Sequence, residues 1–195
     1  MKYLFLLVFV IVLSCSYKEQ SYISIEQKKS DYPISLALDN DTIKYMDIPL
    51  IFLMNKTSSK KVVLSSCTYL CASDYTLAPH AWDFNAALFF NVNGKVVRTS
   101  DIEGLREMNK QQREVIVYIR YQCFTPDFQK IVKSRIKLSQ KNGIVKIGSV
   151  QELKNNNKEL IENLLQHDSI CFSFDYKDDI NEYRVGYVYM PVSVR

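Results

Sequence analysis

Glu114-Val115-Ile116-Val117-Tyr118-Ile119-Arg120-Tyr121-Gln122-Cys123 is the stretch on which the fold turns. Val115, Val117, Ile119, Tyr121 and Cys123 fall on one parity; Glu114, Ile116, Tyr118, Arg120 and Gln122 fall on the other. Side chains alternate faces along a strand, so the pattern predicts a β-strand with one apolar face in a core. Other runs repeat the signal. Ile170, Phe172, Phe174 and Tyr176 share a parity, and an acidic turn separates them from a last strand around 183–194. Segments 87–92 and 95–98 flank Asn93-Gly94, a dipeptide suited to a two-residue hairpin because both positions tolerate positive φ. Ile48 to Met54, the polar cluster Asn55 to Ser59, and Lys61 to Ser65 read as strand, turn and strand, a second hairpin. Val132, Ser134, Ile136 and Leu138 alternate with Lys133, Arg135 and Lys137, which predicts a further strand; Asn142-Gly143 then turns the chain into Ile144 to Ile147.

One helix is expected, near residues 150–167. Ser149-Val150-Gln151-Glu152 has the form of a capping box, and Leu153, Leu160, Ile161 and Leu164 fall on one helical face. Asn155 to Asn157 are poor helix formers, which favours a start nearer Lys158. Many short strands with turn signals and one packed helix predict a mainly β chain, an antiparallel β-sandwich with one amphipathic helix. The passage from Ile48 through Asn55-Lys56-Thr57-Ser58-Ser59 to Leu64 resembles the immunoglobulin-like domains of exported bacterial proteins. That resemblance implies the immunoglobulin-like form of the sandwich.

The composition is that of a folded chain: 195 residues, 47% apolar and 24% charged, with five glycines and five prolines. Collagen-like, low-complexity and wholly disordered chains are excluded. Twenty-five basic against 21 acidic residues give +4, too mild a bias to imply a nucleic-acid partner.

The N-terminus carries an address. Lys2 precedes an apolar run, Tyr3 to Leu13, shorter than the ~20 residues needed to span a bilayer. It fits the core of a secretory signal peptide. Val12-Leu13-Ser14-Cys15 resembles the lipobox of bacterial lipoproteins. The resemblance implies removal of residues 1–14 and acylation of Cys15, with several acyl chains giving stable anchoring. Ser16-Tyr17-Lys18-Glu19 lacks the aspartate that retains some lipoproteins at the inner membrane, so an outer-membrane location follows, on the cell surface or the periplasmic face. Polar residues 15–31 read as a flexible tether, and 32–195 as a single domain. No cofactor is expected beyond the N-terminal lipid.

Cys67, Cys71, Cys123 and Cys171 remain, an even number in an exported chain, and at least one disulfide through the Cys67–Cys71 loop is expected. A four-thiolate zinc site is disfavoured, because Cys123 and Cys171 form no second close pair.

Other candidates are weaker. Lys133, Arg135 and Lys137 would make a basic stripe on an outward strand face, a candidate anion-binding row. Asp175, Asp178, Asp179, Asn181 and Glu182 lack the calcium-loop spacing and read as a solvated turn. Tyr183, Tyr187 and Tyr189 share a parity and would stack on sugar rings if exposed, but the alternation leaves open which parity faces outward. His80 and Asp83 are the nearest approach to a hydrolytic pair, without nucleophile-elbow glycines. The reading favoured is a non-catalytic binding or interaction module with a glycan or envelope protein as partner. An envelope hydrolase using His80 and a structural subunit of an envelope assembly are the alternatives.

Overall fold

The computed structural model describes residues 22–70, 84–85, 87–98, 100, 106–108, 112–122, 126–136, 138, 140–165, 167–177 and 180–193. These form a mainly β architecture of two antiparallel sheets and two helices. The larger sheet is built on β3 (Thr42–Lys56), a strand of 15 residues. β8 (Gln112–Gln122) pairs along one edge of β3. Along the other edge lie β2 (Pro33–Asp39), against residues 42–47, and β1 (Ile23–Lys28), against residues 51–56, end to end. β6 (Ala87–Val92) and β7 (Lys95–Arg98) extend the sheet beyond β8, and β9 (Gly143–Ser149) extends it beyond β2. The smaller sheet runs β11 (Tyr183–Pro191), β10 (Ser169–Lys177), β4 (Val62–Leu70), β5 (Phe84–Asn85).

The period-2 signals land as expected. Val115, Val117, Ile119 and Tyr121 of β8 are buried, while Glu114 and Arg120 are exposed. Ile170, Phe172 and Phe174 of β10 point into the same core as Met46, Ile48, Leu50, Phe52 and Met54 of β3. The inner faces of the two sheets meet through Phe52 and Phe172, edge to face with centroids 5.1 Å apart, and through Tyr69 and Tyr121 at 6.2 Å. Such aromatic pairs add about 0.5–1.5 kcal/mol beyond the area they bury. The β6–β7 turn forms as the dipeptide predicts: Asn93 and Gly94 have φ of 52° and 81°, and Val92 pairs with Lys95.

The expected helix is α2 (Val150–Leu165), and a second helix, α1 (Pro126–Arg135), precedes it. In α2 the capping box is closed in both directions: Ser149 N–H donates to Glu152 Oε2 at 2.7 Å, and Glu152 N–H donates to Ser149 Oγ at 3.2 Å. The helix begins at Val150 rather than near Lys158, and the asparagines appear instead as a kink, with Asn157 at φ −148° and ψ 55°. Leu153, Leu160, Ile161 and Leu164 are buried as a stripe.

Four expectations are corrected. β3 and β4 are not a hairpin: they belong to different sheets, and residues 57–61 carry the chain from one to the other. The immunoglobulin-like resemblance loses the hairpin it rested on. Residues 132–136 are not a strand but the end of α1 and the residue after it, with Val132 and Ile136 buried one turn apart. The tether read over 15–31 contains β1, whose Ile23 and Gln27 are buried against β3 and the chain after β11. Cys67 is not in a loop; it sits within β4, facing the core.

Candidate functional site

β11 lies at one edge of the smaller sheet with β10 as its neighbour. Directly opposite residues in an antiparallel pair share a face. Phe172 and Phe174 face the core, so their partners Val188 and Gly186 face inward too. The other parity is thereby turned outward: Tyr183, Val185, Tyr187 and Tyr189 are 78%, 53%, 62% and 64% exposed. Alternate residues of a strand lie ~6.8 Å apart, so Tyr187 and Tyr189 are neighbours and Val185 stands between Tyr187 and Tyr183.

The platform is supported from below and beside. Val188 and Met190 pack against the core on the inward parity. Gly186 makes room for Tyr176, since a Cβ there would come within 3.1 Å of the Tyr176 ring. Tyr176 in turn packs on Tyr22, with centroids 4.4 Å apart. Lys177 Nζ lies 4.9 Å from the Tyr183 ring centroid, a cation–π contact at one end of the row. Cys171 stands directly opposite Tyr189 on β10, and hydrogen bonding with that thiol holds the Tyr189 hydroxyl above its ordinary pKa. On the same face, Ser173 of β10 and Ser66 of β4 share a hydroxyl–hydroxyl hydrogen bond of 2.7 Å. Ser173 is 8% exposed and Ser66 half-buried, so the solvent-facing surface here is the tyrosine row itself.

A second cluster is internal. Asp168 follows α2 and is 1% exposed. The Tyr69 hydroxyl donates to its Oδ2; the Tyr121 hydroxyl lies 2.9 Å from the same oxygen and 2.7 Å from the Leu164 carbonyl. Burial first, then the neighbouring Tyr121 and Asp168, push the Tyr69 hydroxyl well above the ordinary phenol pKa. The cluster ties β4, β8 and the end of α2 together. It is closed to solutes, so its part is structural.

The residues singled out in sequence are scattered. Lys133 lies on α1, 3.4 Å from Asp41, and Arg135 sits two positions on, about 200° around the helix. The expected outward strand face is replaced here by a helix, and Lys137 lies outside the described residues. Cys67 and Cys171 are both free thiols. They occupy neighbouring strands but opposite faces, Cys67 opposite Phe172 and Cys171 opposite Thr68. Cys15, Cys71, Cys123, His80 and Asp83 lie outside the described residues, as do Asp178 and Asp179. Glu182 is paired with Arg184 at 2.7 Å. Among the described residues no group of three or more His, Cys, Asp or Glu is placed to hold a metal, and no helix is long and apolar enough to cross a membrane.

Sequence reasoning noticed the tyrosines but could not orient them. Both parities of β11 carry apolar residues, and which one faces the core follows from its register with β10. The register in which residues facing each other sum to 360 was the missing quantity.

No protein-family model matches the chain, and no curated protein matches it. Among solved structures the chain is similar to a DUF4466 family protein from Parabacteroides merdae, at 12% identity, over 88% of this chain and 44% of that one, with a TM-score of 0.24. The chain thus spans less than half the length of that protein, and at that score the likeness carries no argument.

Proposed function

We propose that this chain is a non-catalytic binding module, held at the outer membrane by an acylated Cys15, that takes glycans on the outward face of β11. The observation that carries the reading is the orientation of the row: Tyr183, Tyr187 and Tyr189 all turn their rings to solvent, at 62% exposure or more. A monomer gains nothing in stability from three large exposed rings, whereas sugar rings present C–H faces that stack on aromatic ones. The Lys177 ammonium, 4.9 Å from the Tyr183 ring, supplies a polar partner at one end of the stack. Lipobox and signal residues at 1–15 support the anchor. The two facing sheets support a β-sandwich body.

The test is affinity electrophoresis and titration calorimetry against envelope and extracellular polysaccharides. Tyr187→Ala and Tyr189→Ala are each expected to weaken binding about tenfold or more, as for an aromatic anchor at the centre of a contact. Binding that survives both substitutions unchanged, or none by wild type, would sink the glycan reading. Mass spectrometry of the purified protein, finding an unmodified N-terminus, would remove the anchor.

A further inference from the structure

We propose that β11 pairs with β11 of a second copy of this chain, joining two four-stranded sheets across a two-fold axis and setting two tyrosine rows side by side. The inference goes beyond the glycan reading, because it concerns the backbone edge of β11 rather than the ring faces.

One edge of β11 is taken by β10. Which backbone groups that leaves follows from one hydrogen bond: Val192 N–H donates to the Asp168 carbonyl at 2.8 Å. In the β10–β11 register these two residues stand directly opposite, one step beyond the Ser169–Pro191 pair. Hydrogen-bonded pairs recur at every second position of an antiparallel ladder, so the even-numbered residues of β11 turn their amides to β10. The N–H and C=O groups of Tyr183, Val185, Tyr187 and Tyr189 point the other way, and none of these groups has a hydrogen-bond partner among the described residues. Pro191 has the same parity; its missing N–H falls where β10 requires none, as proline in an edge strand does.

Edge strands normally avoid foreign pairing by being short, charged or covered. β11 is nine residues long, and Arg184 is its one charged residue. The outward row carries no charge.

The strand is complementary to itself. Antiparallel pairing centred on Tyr187 sets Val185 opposite the second copy's Tyr189, an aromatic–β-branched pair of the kind that stabilises sheets. Tyr183 falls opposite the second copy's Pro191, so the missing proline donors lie at the two ends of the ladder. Arg184 falls opposite Met190, and the like charges of two +4 chains do not meet there. At 62–78% exposure, three rings of ~150–250 Å² each leave roughly 400 Å² in water, the upper range for a patch on a monomer. Edge-to-edge pairing covers the strand edges and only the flanks of these rings, a small area that suits a weak dimer below ~1,200 Å². The outward faces of both rows remain open, and the dimer presents six tyrosines on one continuous sheet.

Sedimentation equilibrium of the full-length chain in mild detergent tests this. Wild type is expected to show a concentration-dependent monomer–dimer equilibrium, which Val185→Lys weakens about tenfold by placing charge on the edge. Val185→Thr, folded and uncharged, keeps the dimer. Cα atoms across a hydrogen-bonded pair are ~5.5 Å apart, within disulfide reach, so oxidised Tyr187→Cys is expected to give a covalent dimer. Tyr183→Cys, facing proline, gives none above the wild-type background. A monomer at every concentration, a dimer indifferent to Val185→Lys, or equal cross-linking at both positions would overturn the proposal. So would amide protection at Val185 and Tyr187 that arises only when a different envelope protein is added. A monomer that still binds glycan through Tyr187 would leave the function above standing.

Discussion

Gln27 of β1 and Ser193, just past β11, exchange hydrogen bonds in both directions: Ser193 N–H donates to Oε1 at 2.8 Å, and Nε2 donates to the Ser193 carbonyl at 2.7 Å. The side-chain amide imitates the edge of a strand. It fastens the first strand of one sheet to the chain that leaves the last strand of the other.

Replacing Gln27 by Ala leaves two backbone groups of Ser193 without that partner in a half-buried setting. The expected loss is about 1–3 kcal/mol of unfolding free energy, read from urea denaturation. Faster hydrogen exchange at Ser193, with the β10–β11 amides unchanged, would show that the effect is local to the clamp; no loss of stability would refute it.

The Tyr69–Tyr121–Asp168 cluster is expected to behave as one unit. Tyr69→Phe and Tyr121→Phe should each cost about 1–3 kcal/mol, and the double variant should cost less than the sum, since both hydroxyls serve the same carboxylate oxygen. Strict additivity in the double-mutant cycle would mean that the two bonds are independent.

Alkaline pH is expected to destabilise the fold through two buried groups. Burial raises the Cys67 thiol above its ordinary 9.0 and the Tyr69 hydroxyl well above its ordinary 10.0. The unfolded chain releases these protons first as pH rises. Their contribution is therefore fully present below pH 9.0; it begins to fall with Cys67 and falls more steeply above 10.0 with Tyr69. Cys67→Ala and Tyr69→Phe should each flatten the decline of urea stability between neutral and alkaline pH. A slope unchanged in both variants would assign the alkaline loss elsewhere.

At the start of α2, Ser149→Ala removes the oxygen that accepts from Glu152 N–H and is expected to cost about 1 kcal/mol, read as a lowered melting temperature. Ser149→Asp restores an acceptor and should recover most of it.

What could be read from sequence was what short-range physics determines. The capping box at Ser149 and Glu152, the Asn93-Gly94 turn and the alternation in β8 each involve residues within a few positions of one another. α1 was misread because Val132 and Ile136 satisfy a period of two and an i, i+4 helical spacing equally well. The deciding signal lay upstream, in Pro126 and Asp127 at the first turn. The β3–β4 hairpin failed for a different reason. A polar cluster at 57–59 says that the chain turns, but whether the next strand pairs with the last or crosses to another sheet depends on partners far along the chain. Likewise the site was visible as tyrosines but not as a surface, since its parity is set by the β10–β11 register.

β3 has a consequence for how the chain must be made. Its 15 residues are mostly apolar, and one whole edge waits for β8, which begins only at Gln112. As the chain emerges from its N-terminus, β1 and β2 can cover one side of β3 while the other stays open. Pairings this distant put folding on the order of milliseconds to seconds rather than microseconds. The nascent chain, carrying an uncovered apolar strand until β8 arrives, is the species that needs protection from aggregation.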